Sequence, residues 1–436
     1  MEPAPQSLQV GAFVKHKWFR QRGYKHFDAP VGDAFADKVC DPAFVEVHAW
    51  SPLIHYVKRV KRYKPKTGKT EYKDRPIMFA SHRDACILAK YAADIGGKLD
   101  AHYKTDGLHR NVIAYRRLGR ANYHFSADAQ RFAKERGECV ILCFDITGFF
   151  DNLDHAILKD RLKRLLGVSE LPNDWFAVFR HVTKFRRVER TALEANAGFK
   201  ARLKAKTKEP VATIAEIKDA SIPIIVNPNK FGIPQGTPIS AAFSNLYMMD
   251  VDRVIVDACN AIGGLYQRYS DDILVVCAPE HEGAIIAALK SAVAAHKLEI
   301  KDEKTERAEF KPGSDDIFQY LGFNVSQEGA VIRPSSLARL HRKAKRAIKT
   351  TKARGKAAIA TGQAKNISTK RLRQRFWPTG ARNFSKYARR AANEFGSRAI
   401  VRQALRFERM VDRAIREIEN SATHPDRRIH NSRIHL

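Results

Sequence analysis

The feature that most constrains this chain is a set of acids standing at the ends of apolar runs. Val140-Ile141-Leu142-Cys143-Phe144 leads straight into Asp145. So short an apolar run bounded by an acid predicts a buried strand. Further along, Gly264 to Cys277 reads as strand, tight turn, strand, with Tyr269-Ser270-Asp271-Asp272 at the turn. A carboxylate beside buried strands is costly unless it is paired or held on a cation. Asp145, Asp271 and Asp272 therefore make a candidate cage for Mg²⁺, a hard ion that takes oxygen ligands, with Mn²⁺ as the substitute ion. Two such ions about 3.5–4 Å apart suit in-line phosphoryl transfer. The plainer alternative is that the Asp-Asp pair merely caps a hairpin.

Between the two acidic sites lies Phe231-Gly232-Ile233-Pro234-Gln235-Gly236-Thr237-Pro238, leading into a helical run from Ser240 to Ala258. Glycines at 232 and 236 allow close backbone approach, so the loop is suited to lie beneath a nucleotide base. Elsewhere the chain mixes helix and strand. Residues 82–102, 152–166 and 284–297 have helical spacing, Ile222–Val226 is strand-like, and Phe318–Val325 reads as one more short strand. Residues 195–220 read as helix or as an insertion.

Charge narrows the partner. The 436-residue chain carries a formal net charge of +31. From Val331 to Leu436 there are 28 Lys/Arg against six Asp/Glu, a net of +22. This stretch is not a simple tail: Leu337, Leu340, Ala344, Ala347 and Ile348, and later Ile400, Phe407, Val411 and Ile415, recur at helical spacing. Amphipathic helices with a basic outer face point to phosphate-backbone binding, although a basic face can also be merely solvated. Hydrophobic residues make up 44%, which excludes a disordered chain. No apolar run approaches the ~18 residues of a membrane span, so no membrane partner is expected. The N-terminus lacks the basic and apolar regions of a signal peptide, and the six scattered cysteines form no C-x-x-C. The expected compartment is a reducing cytoplasm.

In order, Phe144-Asp145…Phe150, Gly232-Ile233-Pro234-Gln235-Gly236-Thr237-Pro238, Tyr269-Ser270-Asp271-Asp272 and Phe318-Gln319-Tyr320-Leu321-Gly322-Phe323 resemble the motif series of reverse transcriptases. The resemblance covers about 75–330. It implies an α+β right-hand polymerase: an N-terminal extension over 1–55, fingers and a ferredoxin-like antiparallel palm over 56–330, and a basic helical thumb with a C-terminal tail over 331–436. It makes Asp145 and Asp271 the principal metal ligands and Asp272 the third acid. It makes Phe150 a steric gate against a ribose 2′-hydroxyl, with a core aromatic as the alternative. Gln235 and Gly236 would pack on the incoming nucleotide, beside Tyr269 and the nucleic acid. Arg75 would grip the triphosphate, helped by Lys69 or Lys73, and Lys304 would stand near the leaving pyrophosphate. The Phe318–Phe323 strand would be the primer grip.

The chain is most similar to compact bacterial reverse transcriptases. Retron enzymes and group II intron proteins are relatives, but the Asn-Ala-x-x-His and Val-Thr-Gly elements typical of retrons are absent. The Tyr-Ser-Asp-Asp form and the basic thumb resemble defence-associated reverse transcriptases of the class 2 type. That resemblance implies anti-phage defence, a structured noncoding RNA as template, deoxynucleoside triphosphates as substrates and a cDNA product. Arg342, Lys343, Lys345 and Arg346 are the expected phosphate contacts, with Trp377 or Tyr387 stacking on unpaired bases. Oligomeric state and priming are left open. The alternatives are a mobile-element enzyme (retron, intron or diversity-generating element) and an RNA-binding protein with a vestigial polymerase centre.

Overall fold

The computed structural model describes residues 16–64, 68–301, 303, 305–377 and 383–423. Two short helices, α1 (Asp33–Lys38) and α2 (Pro42–Glu46), precede a long antiparallel hairpin of β1 (Leu53–Lys64) and β2 (Lys69–Phe79). Then come α3 (His82–Thr105), α4 (Asn122–Arg136), β3 (Cys139–Asp145), α5 (His155–Leu166), α6 (Asn173–Thr183) and β4 (Arg186–Glu189). A run of short elements follows: α7 (Arg190–Ala195), α8 (Ala197–Lys204), α9 (Ile214–Asp219) and β5 (Ile225–Val226). The next segment holds α10 (Ser240–Tyr247), α11 (Met249–Ala261), β6 (Leu265–Tyr269), β7 (Asp272–Cys277), α12 (Glu282–Ala295) and β8 (Glu306–Phe310). The chain continues through β9 (Ile317–Tyr320), β10 (Phe323–Ser326) and β11 (Ala330–Ile332) into α13 (Pro334–Ala360), α14 (Lys370–Phe376), α15 (Phe384–Phe395) and α16 (Arg398–Thr423).

The fold is mixed α+β. Its central sheet has the order β6-β7-β3-β8 and is antiparallel throughout. With helices between β3 and β6 and again between β7 and β8, this is the connectivity of a ferredoxin-like βαββαβ unit. Strand alternation explains why β3 reads as unbroken apolar residues. Val140, Leu142 and Phe144 enter the largest core cluster, while Cys139 and Ile141 enter a second cluster on the other face. The hairpin β1–β2 extends a separate sheet, β2-β1-β4-β5. The C-terminal helices close on their own seam, in which Ala344, Leu372, Phe376, Phe407, Val411 and Ile415 are buried together.

Several sequence expectations are corrected. Phe318–Val325 is not one strand but a hairpin of β9 and β10. Leu321 (φ 46°) and Gly322 (φ 94°) both lie in the left-handed region that a two-residue hairpin turn requires. The helix expected from 152 begins at His155, because the Asp154 carboxylate caps it by accepting from the Ala156 and Ile157 amides at 2.9 and 3.1 Å. The run from Ser240 to Ala258 is broken at Met248 into α10 and α11. Only Ile225–Val226 of the expected 222–226 strand pairs. A boundary at 55/56 would cut β1, and one at 330/331 would cut β11. Within residues 16–55, Ala36, Val39, Val45 and Leu53 sit in the main core, so this stretch packs with the rest of the fold.

Candidate active site

Asp145 ends β3 and Asp272 begins β7, and the two are register partners across the sheet. Asp271 stands in the β6–β7 turn beside them. The three side chains each offer a carboxylate oxygen, all within 4.8 Å of one another. This donor set of hard, anionic oxygens fits a divalent cation such as Mg²⁺. Burial pushes the Asp271 carboxyl above the ordinary carboxylate range; the Asp145 charge adds to the push, and the Lys73 ammonium opposes it. The end of β3 is pinned by backbone bonds. Lys301 N–H donates to the Asp145 carbonyl (3.0 Å), and Thr147 N–H donates to the Glu299 carbonyl (2.8 Å).

Beneath the turn lies a polar network that sequence reasoning missed. Arg268 and Asp252 are both fully buried and form a two-pronged ion pair, Nε to Oδ1 and Nη2 to Oδ2, each 2.6 Å. The Tyr266 hydroxyl donates to Asp252 (2.7 Å). Arg268 Nη1 donates to the Ser270 carbonyl (3.1 Å) and to Asn245 Oδ1 (3.3 Å). Ser270 sits at φ 64°, an unfavourable region for a residue with a Cβ, and the guanidinium holds its carbonyl there. From above, the Tyr115 hydroxyl donates to Ser270 Oγ (3.1 Å). The available signal was Arg268 itself, a charge inside an otherwise buried strand. Its partner, on a helix earlier in the chain, carries no local signature.

A cavity of about 1120 Å³ opens over Asp145 and Asp272. Asp145, Asp272 and Tyr269 line one side, and Glu71, Lys73 and Arg75 from β2 line another. These β2 residues alternate along the strand and so share one face. Lys301, Arg333 and Arg339 also reach the cavity, and none of the three was anticipated. The side chain of Lys69 and the whole of Lys304 lie outside the described residues.

The Gly/Pro loop clamps two parts of this wall together. The Gln235 carbonyl accepts from the Met78 amide of β2 (2.8 Å), and Ile233 N–H donates to the Phe150 carbonyl (2.9 Å). Gly236 has φ 116°, and a Cβ there would stand 2.8 Å from the Met78 carbonyl oxygen, so only glycine permits the approach. Of the adjacent aromatics, Phe149 is buried in the core, whereas Phe150 is half-buried against it and stands outside the main cavity lining.

The C-terminal helices form a second concavity of about 990 Å³ between α13 and α14. Arg342, Lys343, Arg346 and Arg354 line it from α13, and Arg371 and Arg375 from α14. Arg339 lines both this groove and the central cavity. Lys345 departs from the expected set: it is exposed but lies outside the groove lining. Trp377 is half-buried against the helical seam, with the Arg373 guanidinium 5.3 Å from its ring centre. Tyr387 packs between Tyr123 (5.5 Å) and Phe323 (6.2 Å), joining α15 to the sheet side of the molecule. That placement removes Tyr387 from the expected stacking residues.

The sequence profile described as reverse transcriptase (RNA-dependent DNA polymerase) matches residues 98–325, just over half the chain and all three acids. The chain belongs to the reverse transcriptase family. The β1–β2 hairpin and the C-terminal helices lie outside the matched span. Among solved structures, the chain is similar to apo telomerase from Candida tropicalis truncated from its C-terminal domain, at 13% identity over 66% of this chain and 56% of that one, TM-score 0.44. It is similar to apo telomerase from the same organism at 13% identity over 84% and 58%, TM-score 0.45. Telomerase from Candida albicans in complex with a TWJ fragment of telomeric RNA matches at 11% identity over 89% and 65%, TM-score 0.44. The chain thus spans less than two thirds of the length of these structures. No curated protein matches it by sequence. Among the described residues, no helix is long and apolar enough to cross a membrane.

Proposed function

We propose that this reverse transcriptase is an RNA-directed DNA polymerase that copies a structured noncoding RNA into cDNA, in the service of bacterial anti-phage defence. The observation that carries the polymerase reading is a cluster of three carboxylates, two of them at paired strand ends and lining one cavity with Lys73 and Arg75 of β2. In this reading the β1–β2 hairpin is the fingers, the central sheet the palm and α13–α16 the thumb. The defence role rests on the form of the sequence motifs and the compact basic thumb.

Asp145, Asp271 and Asp272 would hold the divalent ions, Mg²⁺ by preference. When bound, such ions supply positive charge that favours the attacking 3′-oxygen and the leaving pyrophosphate. The protein does the rest by position. Arg75 and Lys73 face the triphosphate from β2, and their charges draw the anion in and hold it beside the acids. The Gln235–Gly236 loop fixes the height of β2 through Met78, so the floor under the base and the grip on the phosphates move together. Phe150, tied to the same loop at Ile233, limits the room beside the sugar and favours deoxynucleotides. The β9–β10 hairpin lines the cavity with Gln319 to Gly322 and would bear on the primer end.

Primer extension by the purified protein tests the reading. RNA-templated incorporation of deoxynucleotides, abolished by Asp145→Asn, is the expected result. A wild-type protein that binds RNA and extends no primer with Mg²⁺ or Mn²⁺ would return the chain to the vestigial alternative. Phage plating on cells carrying wild type or Asp145→Asn tests the defence role separately.

A further inference from the structure

The α16 helix carries a second basic surface that the catalytic reading does not use. Its inward face buries Ile400, Ala404, Phe407, Val411, Ile415 and Ile418. At 100° per residue, Arg402, Arg406, Arg409 and Arg413 fall on the opposite side, stacked at i, i+4, i+7 and i+11. All four are exposed. With Leu405 and Met410 they line a shallow hollow of about 450 Å³. Among the described residues no carboxylate pairs with any of the four. Glu408 is engaged with Arg389 (2.8 Å) and Asp412 with Arg416 (3.0 Å), and Glu417, one turn beyond Arg413, is exposed.

Such a ridge opposes its own helix. Like charges at i,i+3 and i,i+4 repel, and each successive pair in this stack is of that kind. A polyanion laid along the ridge turns that repulsion into attraction and releases its own counterions. The geometry also limits which polyanion is meant. α16 packs its apolar side on α13, α14 and α15, so the ridge faces away from the α13–α14 groove and from the cavity reached by Arg333 and Arg339. A strand held over the acids would run on that other side, so a nucleic acid that reached α16 would lie beyond the segment being copied.

We infer that the Arg402–Arg413 ridge binds the phosphate backbone of the folded flank of the RNA template, outside the copied strand. This rests on the RNA-templated reading above and adds a separate anchoring surface to it. Anchoring there would keep a long structured RNA on the protein without contributing to chemistry on a short one.

The test replaces Arg402, Arg406, Arg409 and Arg413 together by Gln, with a fourfold Lys variant as the charge-preserving control. Affinity is measured over a salt series for two RNAs, a short unstructured template and the same template embedded in a long folded RNA. Primer extension on the short template is measured alongside. For the Gln variant the slope of log K against log salt should fall by about 3 on the long RNA, from the ~0.7–0.9 expected per phosphate contact. Extension on the short template should be unchanged, and the Lys variant should keep the wild-type slope. Thermal unfolding should show no loss of stability, since the replaced positions are exposed and mutually repulsive. An unchanged slope on the long RNA overturns the inference. So does loss of short-template extension in a folded variant, which would place the ridge in the catalytic path. Binding to phosphatidylserine vesicles that is lost while the RNA slope is kept would assign the ridge to a lipid surface instead. A wild type that extends no template defeats the polymerase reading while the salt slopes still report on the ridge.

Discussion

The β6–β7 turn and the C-terminal helices use charge in opposite ways. At the turn each charged group is fixed from several sides. Arg268 is fully buried, and its guanidinium is divided among Asp252, Asn245 and the Ser270 carbonyl. In the C-terminal helices the cations point outward from an apolar seam and few acids answer them. Chemistry that depends on the placement of three carboxylates needs a rigid, hydrogen-bonded support, and such support is worthwhile only where water is excluded. Binding that reads phosphate charge needs density of charge and little geometry. Substitutions at the turn should therefore act steeply and specifically, and substitutions in the helices gradually and additively.

The largest effect is expected at the acids. Asp271→Asn keeps the side-chain shape and removes a ligand charge, so primer extension should fall about 10³-fold or more, the several kcal/mol that such charge stabilisation is worth. Asp272→Asn, at an exposed position, should be milder. A second readout is independent of activity. Burial and Asp145 already disfavour charge on Asp271, so without metal the Asn variant should be at least as heat-stable as wild type. Added Mg²⁺ should raise the melting temperature of wild type and leave the variant unmoved. Equal shifts in both proteins would remove Asp271 from the metal site.

Next in size is the support beneath the turn. Arg268→Met strands Asp252 without its partner in the core and should cost about 3–5 kcal/mol of stability. The informative variant is Arg268→Met combined with Asp252→Leu. Replacing a buried ion pair by apolar residues is often neutral or stabilising, so the double variant should regain most of the lost stability. Its polymerase activity should stay low, because nothing then holds the Ser270 carbonyl at its left-handed turn. A double variant that recovers stability and activity together would show the pair to be structural only.

The difference between the two regions also explains what the sequence revealed. The acids were legible because each sits beside strand-forming apolar residues, and short apolar runs ending in Asp carry their meaning locally. The basic helices were legible for the same reason: Leu337 to Ile348 and Ile400 to Ile418 repeat at one helical period. The Arg268–Asp252 pair was not, since it joins β6 to α11 and exists only after the chain has folded. The β9–β10 hairpin was missed because Leu321 is not a usual residue for φ 46°, and its turn hides in a run of apolar residues. Which lysines face one groove was equally hidden. Lys345 differs from Arg346 only by its angle around α13, and the packing of Ala344 decides which side is inward.

A smaller effect is expected at Phe150, which belongs to neither extreme. It is half-buried, and its backbone is tied to the Gly/Pro loop. If its ring bounds the sugar site, Phe150→Val should raise ribonucleotide use relative to deoxynucleotide by about 30- to 150-fold, equivalent to ~2–3 kcal/mol of discrimination. Unchanged discrimination in a folded variant would make Phe150 a core residue like Phe149.

The smallest effect comes from single cations on α13, and it tests the comparison most finely. Arg342 lines the α13–α14 groove, whereas Lys345, three residues on and about 60° further round the same helix, lies outside its lining. Charge density alone would make the two interchangeable. If the groove carries the nucleic acid, Arg342→Gln should lower the salt slope by about 0.7–0.9, the share of one phosphate contact, and so reduce by about 3-fold the loss of affinity between 50 and 200 mM salt. Lys345→Gln should leave the slope where it was. Filter binding with one RNA at several salt concentrations measures both. Equal slopes for the two variants would mean that the helices act as a diffuse cloud of charge, with no groove distinguishable from the rest. Unequal slopes would show that geometry counts here too, set by the apolar seam that turns Ala344 inward and Arg342 toward the groove.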